Sequence, residues 1–179
     1  MKQFNYKNLY FMLILKKIDV KKDVKVKYKK WMNDKEVHKY SVQKTKIHTI
    51  KSIKKYITDT CKSKTEIIYG IFIKQNSKLN HIGNIKLGPI NFFHKTAYIS
   101  YFIGEKKLWN KGYATKAINQ IIKIAKIKKI KKLKAGFVEI NLGSKKVLQK
   151  NGFKKEGTFM SEEIHQKKRF NAFIYGKII

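Results

Sequence analysis

The sequence predicts an α+β fold: one mixed, mostly antiparallel sheet of about six to seven strands with a single parallel pair, flanked by about four helices. Three observations carry this. From Glu66 onward the hydrophobic period changes from helical to strand-like. Three apolar runs, 67–74, 81–90 and 98–103, follow one another across short turns, which makes an antiparallel meander. A long amphipathic stretch from Gly112 then separates the third run from another strand at 133–140, and a strand–helix–strand crossover pairs its strands in parallel. The 179 residues are expected to form one domain, 1–179, large enough to bury a core without disulfide or metal help.

Taken in order, residues 9–18 are rich in β-formers and aromatics and read as the first strand. Asp19 stands where an N-cap would, opening a helix of about four turns through Trp31 and Met32. A polar turn around Asn33 and Asp34 follows, and a second helix starts near Thr49 with Ile50, Ile53, Ile57 and Cys61 at helical spacing. The run 67–74 is nearly continuously apolar, as in a strand buried on both faces. Asn76, Ser77 and Lys78 turn the chain into the strand 81–90, where Gly83 marks a bulge and Pro89 falls near the end. Residues 91–97 connect to the strand at Tyr98. The helix after Gly112 carries Ala114, Ala117, Ile118, Ile121, Ile122 and Ala125 on one stripe, which packing on a sheet explains more simply than a membrane surface does. Its last turns, IKKIKKLK, hold lysines that suit a helix C-terminus. After the strand 133–140 come a short helix 143–150 closed by Gly152, a strand opened by Phe153, a polar loop 161–168 and a last strand 169–178.

The formal charge is +32, yet of 43 basic residues only Arg169 is arginine, and the lysines are spread evenly along the chain. Readers of nucleic acid use arginine for bidentate contacts and cluster their charge on one face, so this pattern reads as compositional drift, with no specific nucleic acid expected. The charge still steers anionic ligands toward the molecule. A single cysteine, Cys61, excludes an internal disulfide and is read as structural in a reducing compartment. The apolar run 9–15 is too short to span a bilayer and lacks a cleavage site, so the expectation is a cytoplasmic protein without membrane insertion. His38, His48, His81, His94 and His165 share no ligand spacing, and no metal is expected. A P-loop, a nucleophile elbow and GxGxxG are all absent.

What remains is a strand, a turn holding Asn110, Lys111 and Gly112, and a helix start, the arrangement that builds an anion pocket from free backbone N–H groups. A second constellation, NLGSKKVLQKNGF, runs over 141–153. WNKGYATKA at 109–117 together with that segment resembles the GNAT acetyltransferase superfamily, and within it the RimJ/RimL-like branch. Gly112 and Ala114 occupy defined places of the acetyl-CoA pattern, and Trp109 departs from its usual Arg or Gln. Asn141, Ser144, Lys150, Gly152 and Phe153 match the second motif, and WMNDKEV at 31–37 resembles that branch's N-terminal segment.

The resemblance implies a sheet splayed at its parallel pair and acetyl-CoA as cosubstrate. It places the pyrophosphate on Asn110, Lys111, Gly112, Ala114 and Thr115, and the pantetheine arm between Phe102, Ile103 and Gly104 on one side and Asn141 on the other. A helix N-cap is an equal role for Asn141. Leu148 replaces the tyrosine that many members use as acid, so Ser144 becomes the candidate donor, with capping as its alternative role. His94 or Glu139 are the base candidates. The stretch 83–104 resembles acetyltransferases of bacterial surface-sugar pathways, such as those making pseudaminic-acid-type sugars. The implied acceptor is a small, anionic amine, a nucleotide-linked amino-sugar, with Trp31, Asn33, Phe92 and His94 as contacts. A protein N-terminal amine is the alternative, and a non-catalytic nucleic-acid or membrane-surface binder is the contrasting class. A homodimer is compatible with each.

Overall fold

The computed structural model describes residues 12–75 and 77–179, so residues 9–11 of the expected first strand and Asn76 of the expected turn lie outside it. Strands β1 (Met12–Lys17), β2 (Ile67–Gln75), β3 (Lys78–Asn91), β4 (Thr96–Ile103), β5 (Lys132–Val138), β6 (Lys154–His165) and β7 (Lys168–Ile178) form one sheet in the order β1-β2-β3-β4-β5-β7-β6. Every pairing is antiparallel except β4 with β5. Helices α1 (Val26–Met32), α2 (Ile50–Lys62), α3 (Tyr113–Ile127) and α4 (Leu142–Lys150) cover the sheet. This is the expected α+β architecture, with seven strands and one parallel pair.

Two apolar clusters lie on the sheet. The larger joins Ile71, Ile85, Leu87 and Ile99 to the α3 stripe Ala117, Ile118, Ile121, Ile122 and Ala125, and to Leu133, Phe137 and Leu148. The smaller joins Tyr28 and Trp31 of α1, Ile53 and Ile57 of α2, and Ile68 of β2. Strand β2 therefore feeds both, which is why it reads as a continuous apolar run. The outer edge of β1 is closed by one side chain: Gln120 of α3 accepts from the Leu15 N–H (3.1 Å) and donates to the Leu13 carbonyl (2.6 Å).

Three boundaries and one buried position differ from expectation. Asp19 does not open α1: its side chain accepts from Lys21 N–H (2.9 Å) and Lys22 N–H (3.1 Å), holding a turn, and α1 begins at Val26. The intervening Val24 is buried against the helices, and the turn brings it there. Cys61 is exposed, and Thr60, one residue earlier, takes the buried place after Ile57. IKKIKKLK is not the end of a helix. Lys129 adopts φ 60, and Ile130 N–H donates to the Ala125 carbonyl (3.0 Å) while Lys129 N–H donates to Lys126 (2.9 Å), a closing motif that buries Ile130. The last lysines of the segment then belong to β5. Residues 161–165 are strand too: β6 and β7 form one long hairpin around Gln166 and Lys167, both at positive φ (49° and 64°). Most of β6 is exposed, so no apolar alternation announces it.

Candidate active site

Because β4 and β5 are parallel, both end at the same edge of the sheet, and α3 and α4 both start there. The ladder holds only between Thr96–Tyr98 and Lys132–Lys134; beyond it the strands part. Gly104 N–H donates to the Ile82 carbonyl on β3 (2.8 Å), so alternation turns the N–H groups of Ile103 and Tyr101 toward the gap. The Ile103 carbonyl accepts from the Trp109 indole N–H (2.8 Å), which folds the turn 104–112 back over the strand end. Gly104 lies flat on Trp31, where any Cβ would run into the indole ring.

At the mouth of the gap Asn110 (φ 60) and Gly112 (φ 79) take left-handed conformations that release the chain into α3. Gly112 is the N-cap and no side chain caps the helix. The helical ladder begins with Lys116 N–H to the Gly112 carbonyl (3.0 Å), which leaves the N–H groups of Tyr113, Ala114 and Thr115 without intrahelical partners. The first turn carries no acidic residue, Lys111 is exposed beside it, and nothing lies within 4 Å of a Cβ at Gly112. This is open, positive and lined by donors, so an anion fits. Across the gap, Asn141 caps α4 by accepting from Ser144 N–H (3.1 Å). The structure thus brings Phe102, Ile103, Gly104, Asn110, Lys111, Gly112, Ala114, Thr115, Asn141 and Ser144 to one edge of the sheet.

Two cavities meet at that edge. The gap itself encloses about 190 Å³ between Ile99, Tyr101, Ala135, Phe137, Ser144 and Leu148. A larger cleft of about 580 Å³ opens on the α1–α2 side, with Tyr28, His38, Tyr56, Asn84, Lys86 and Phe102 in its walls. Tyr40, Ser41, Ser100, Tyr101 and Asn141 line both, so a group held in one cavity reaches the other past these residues. Among the described residues lining the larger cleft there is no aspartate or glutamate, while Lys46 and Lys86 both stand in its wall. Lys86 is held by Glu66 (2.7 Å).

Burial sets the protonation states. His38 is 4% exposed, and burial drops its imidazole to about 4, so the ring is neutral near neutral pH. Burial pushes the Tyr101 phenol up to about 12. The Tyr28 hydroxyl accepts from the Asn84 amide. His38 Nε2 and the Tyr101 hydroxyl are the buried side-chain polar atoms that lack a partner among the described residues.

Other expected site residues are placed elsewhere. His94 and Phe92 sit on the β3–β4 turn, both exposed, at the end of β4 opposite the gap. The meander dictates this: the turn that starts β4 cannot also lie where β4 ends, roughly 25 Å away at 3.4 Å per residue. Glu139 is consumed by β7, accepting from Asn171 N–H (2.8 Å) and the Asn171 side chain (3.2 Å). Neither base candidate reaches the cleft. Trp31 and Asn33 shape it without lining it. The Trp31 indole donates to Glu105 (3.2 Å), and Asn33 bridges the Lys29 and His48 carbonyls (2.9 and 2.8 Å) while accepting from His48 N–H (2.9 Å). Between Trp31 and Asn33, Met32 lines the cleft, joined a few residues further on by Val37, His38, Tyr40 and Ser41.

The chain matches the model of the acetyltransferase (GNAT) domain over residues 12–154. It is 34% identical over 115 residues to the probable N-acetyltransferase YjcK of Bacillus subtilis (strain 168), a match that covers 62% of this chain and 62% of that relative. The chain thus aligns with about three fifths of the curated relative's length. Its fold is shared with the microcin C7 self-immunity acetyltransferase MccE, whose crystal structure is in complex with acetyl-CoA and AMP (TM-score 0.77, 23% identity, 93% of this chain and 92% of that one). It is also shared with RimL, the ribosomal L7/L12 α-N-protein acetyltransferase in complex with coenzyme A (0.80, 18%, 93% and 94%). A third neighbour is the spermidine N-acetyltransferase of Vibrio cholerae in complex with CoA and spermine (0.80, 17%, 93% and 95%). At these identities the likeness is one of fold.

Proposed function

The chain belongs to the GNAT acetyltransferase family, and from that premise we propose that it transfers the acetyl group of acetyl-CoA directly to a primary amine, the acceptor being a nucleotide-linked amino-sugar. The observation that carries the choice of acceptor is the larger cleft, whose described lining holds lysines and neutral polar groups but no carboxylate. A polycationic amine leaves such a wall without counter-charges, whereas phosphates are welcome in it. A fold neighbour held in complex with acetyl-CoA and AMP supports a nucleotide-bearing ligand in this architecture.

The residues present fit coenzyme A. The free N–H groups of the α3 first turn, with Lys111 beside them, hold phosphate oxygens; the Tyr101 and Ile103 amides hold the pantetheine arm as an added strand would; the Asn141 side chain faces it from α4. When bound, acetyl-CoA supplies a thioester activated for attack by a neutral amine. His38, kept neutral by burial and with an unpartnered ring nitrogen, takes over the acceptor-side role that His94 and Glu139 cannot fill, receiving the amine and orienting its lone pair. Ser144 lines the gap and stays a candidate proton donor on the leaving-group side.

Release of coenzyme A thiol, measured with a uridine-diphosphate-linked amino-sugar, a peptide with a free N-terminus and spermidine as acceptors, tests the reading. The sugar nucleotide is expected to lead in kcat/KM by about tenfold or more, roughly 1.4 kcal/mol of transition-state preference. A lead by spermidine overturns the acceptor assignment. A lead by the peptide replaces it with the RimL-like reading, which the fold likeness to RimL also favours.

A further inference from the structure

Tyr101 stands where the two cavities meet, and its hydroxyl is shut off from solvent with no hydrogen-bond partner among the described residues. Folding alone gives no reason for this, because a buried hydroxyl without a partner is costly and phenylalanine has the same shape. We propose that the Tyr101 hydroxyl is the hydrogen-bond donor to the coenzyme's sulfur as the carbon–sulfur bond breaks, the part that a tyrosine at the position of Leu148 would otherwise play. The proposal rests on the acetyltransferase reading above.

Three features of the site agree with it. Tyr101 lines the gap together with Ser144 and Leu148, so a β4 tyrosine borders the same space as the α4 position that the family resemblance gives to a tyrosine. The Tyr101 backbone N–H faces the gap, so strand and side chain address one ligand from the same residue. Burial keeps the phenol protonated throughout the working pH range, which makes it a donor at all times. Ser144 lies near enough to draw that acidity back slightly, yet the two hydroxyls make no hydrogen bond, and neither is satisfied by the other. In the reaction the amine nitrogen forms its bond to the acetyl carbon, the carbon–sulfur bond breaks, and its electron pair leaves on sulfur. The Tyr101 O–H holds that sulfur while the proton shed by nitrogen comes to rest on it, so one proton moves from nitrogen to sulfur and no other reagent is consumed.

The test needs no acceptor. The thiol of coenzyme A bound to the full chain is titrated by its thiolate ultraviolet absorbance, in the wild type, in Tyr101→Phe and in Ser144→Ala. A donor to sulfur stabilises the thiolate, so the bound thiol is expected to titrate about one unit higher in Tyr101→Phe than in the wild type, a roughly tenfold lower thiolate ratio at fixed pH. The thermal midpoint of the coenzyme-free chain is expected to stay at the wild-type value or rise, because without coenzyme the lost hydroxyl bonds to nothing. Replacing Tyr101 by a fluorotyrosine, a stronger donor, is expected to shift the titration the opposite way. Equal titrations in the wild type and Tyr101→Phe overturn the proposal. So does a shift in Ser144→Ala alone, which assigns the donor to the serine. If the wild type binds no coenzyme A, the acetyltransferase reading itself fails and takes this one with it, a result distinct from binding with equal titrations.

Discussion

The two cavities at the mouth of the sheet are built in opposite ways. The side proposed for the coenzyme is made of backbone: left-handed Asn110 and Gly112, the open first turn of α3, and strand amides left without a ladder partner. The side proposed for the acceptor is lined by residues drawn from α1, the 37–48 segment, α2, β2, β3 and β4. A backbone site depends on a few residues close together in sequence and changes little as side chains drift. A side-chain site depends on residues far apart and can be rebuilt one position at a time. Reaction type should therefore be insensitive to most substitutions here, and acceptor choice sensitive to many.

Gly112→Glu strikes the backbone side hardest. It forces a non-glycine residue to φ 79 and puts a carboxylate where the anion belongs, so coenzyme A affinity measured by calorimetry is expected to fall about a hundredfold; the left-handed strain of about 1–2 kcal/mol lowers the melting midpoint by a few degrees, although nothing crowds the added side chain. An unchanged affinity would show that phosphates do not sit on this turn.

His38 sharpens the side-chain half. Its folded-state acidity lies near pH 4 against an unfolded value of 6.5, so the unfolded chain binds the extra proton between these limits. Its contribution to stability is whole above pH 6.5 and is lost as pH falls toward 4. Allowing for water in the open cleft beside it, the loss is roughly 2 kcal/mol. The stability of the wild type minus that of His38→Phe, from denaturant midpoints, should fall by that amount between pH 6.5 and 4, and a pH-independent difference would place the ring in contact with solvent.

Glu139→Gln tests whether that carboxylate belongs to either half. It is expected to lower stability by about 1 kcal/mol through its bonds to Asn171 and to leave coenzyme affinity alone. A large loss of turnover at unchanged stability would return it to the site. The smallest effect is expected from His94→Ala: turnover within about twofold of the wild type, since the exposed β3–β4 turn touches neither cavity.

The same contrast explains what was legible in the chain. The meander, the crossover and the α3 stripe are periodic and local, and they lie where expected, as does Thr49, whose capping box with Ser52 starts α2. Asn110 to Thr115 and Asn141 to Ser144 are legible because a helix start is written in adjacent residues. The larger cleft is not legible in the chain because its lining residues converge only through topology. Phe92 and His94 adjoin β4 in sequence, but at the end away from the cleft, and within WMNDKEV Trp31 and Asn33 brace the wall that His38 and Tyr40 form. Tyr101 carried no signal at all, being one more aromatic in an apolar strand until its hydroxyl is seen to have no partner.

The three-rung ladder between β4 and β5 has a consequence for amide hydrogen exchange. Gly104 is bonded to β3 and should be protected, whereas Ile103 and Tyr101 point into the gap and should exchange quickly although they lie in a central strand. Exchange along the end of β4 should therefore alternate with a period of two residues. Coenzyme bound as an added strand would erase that alternation, so the rhythm of exchange in one short strand reports whether the gap is occupied.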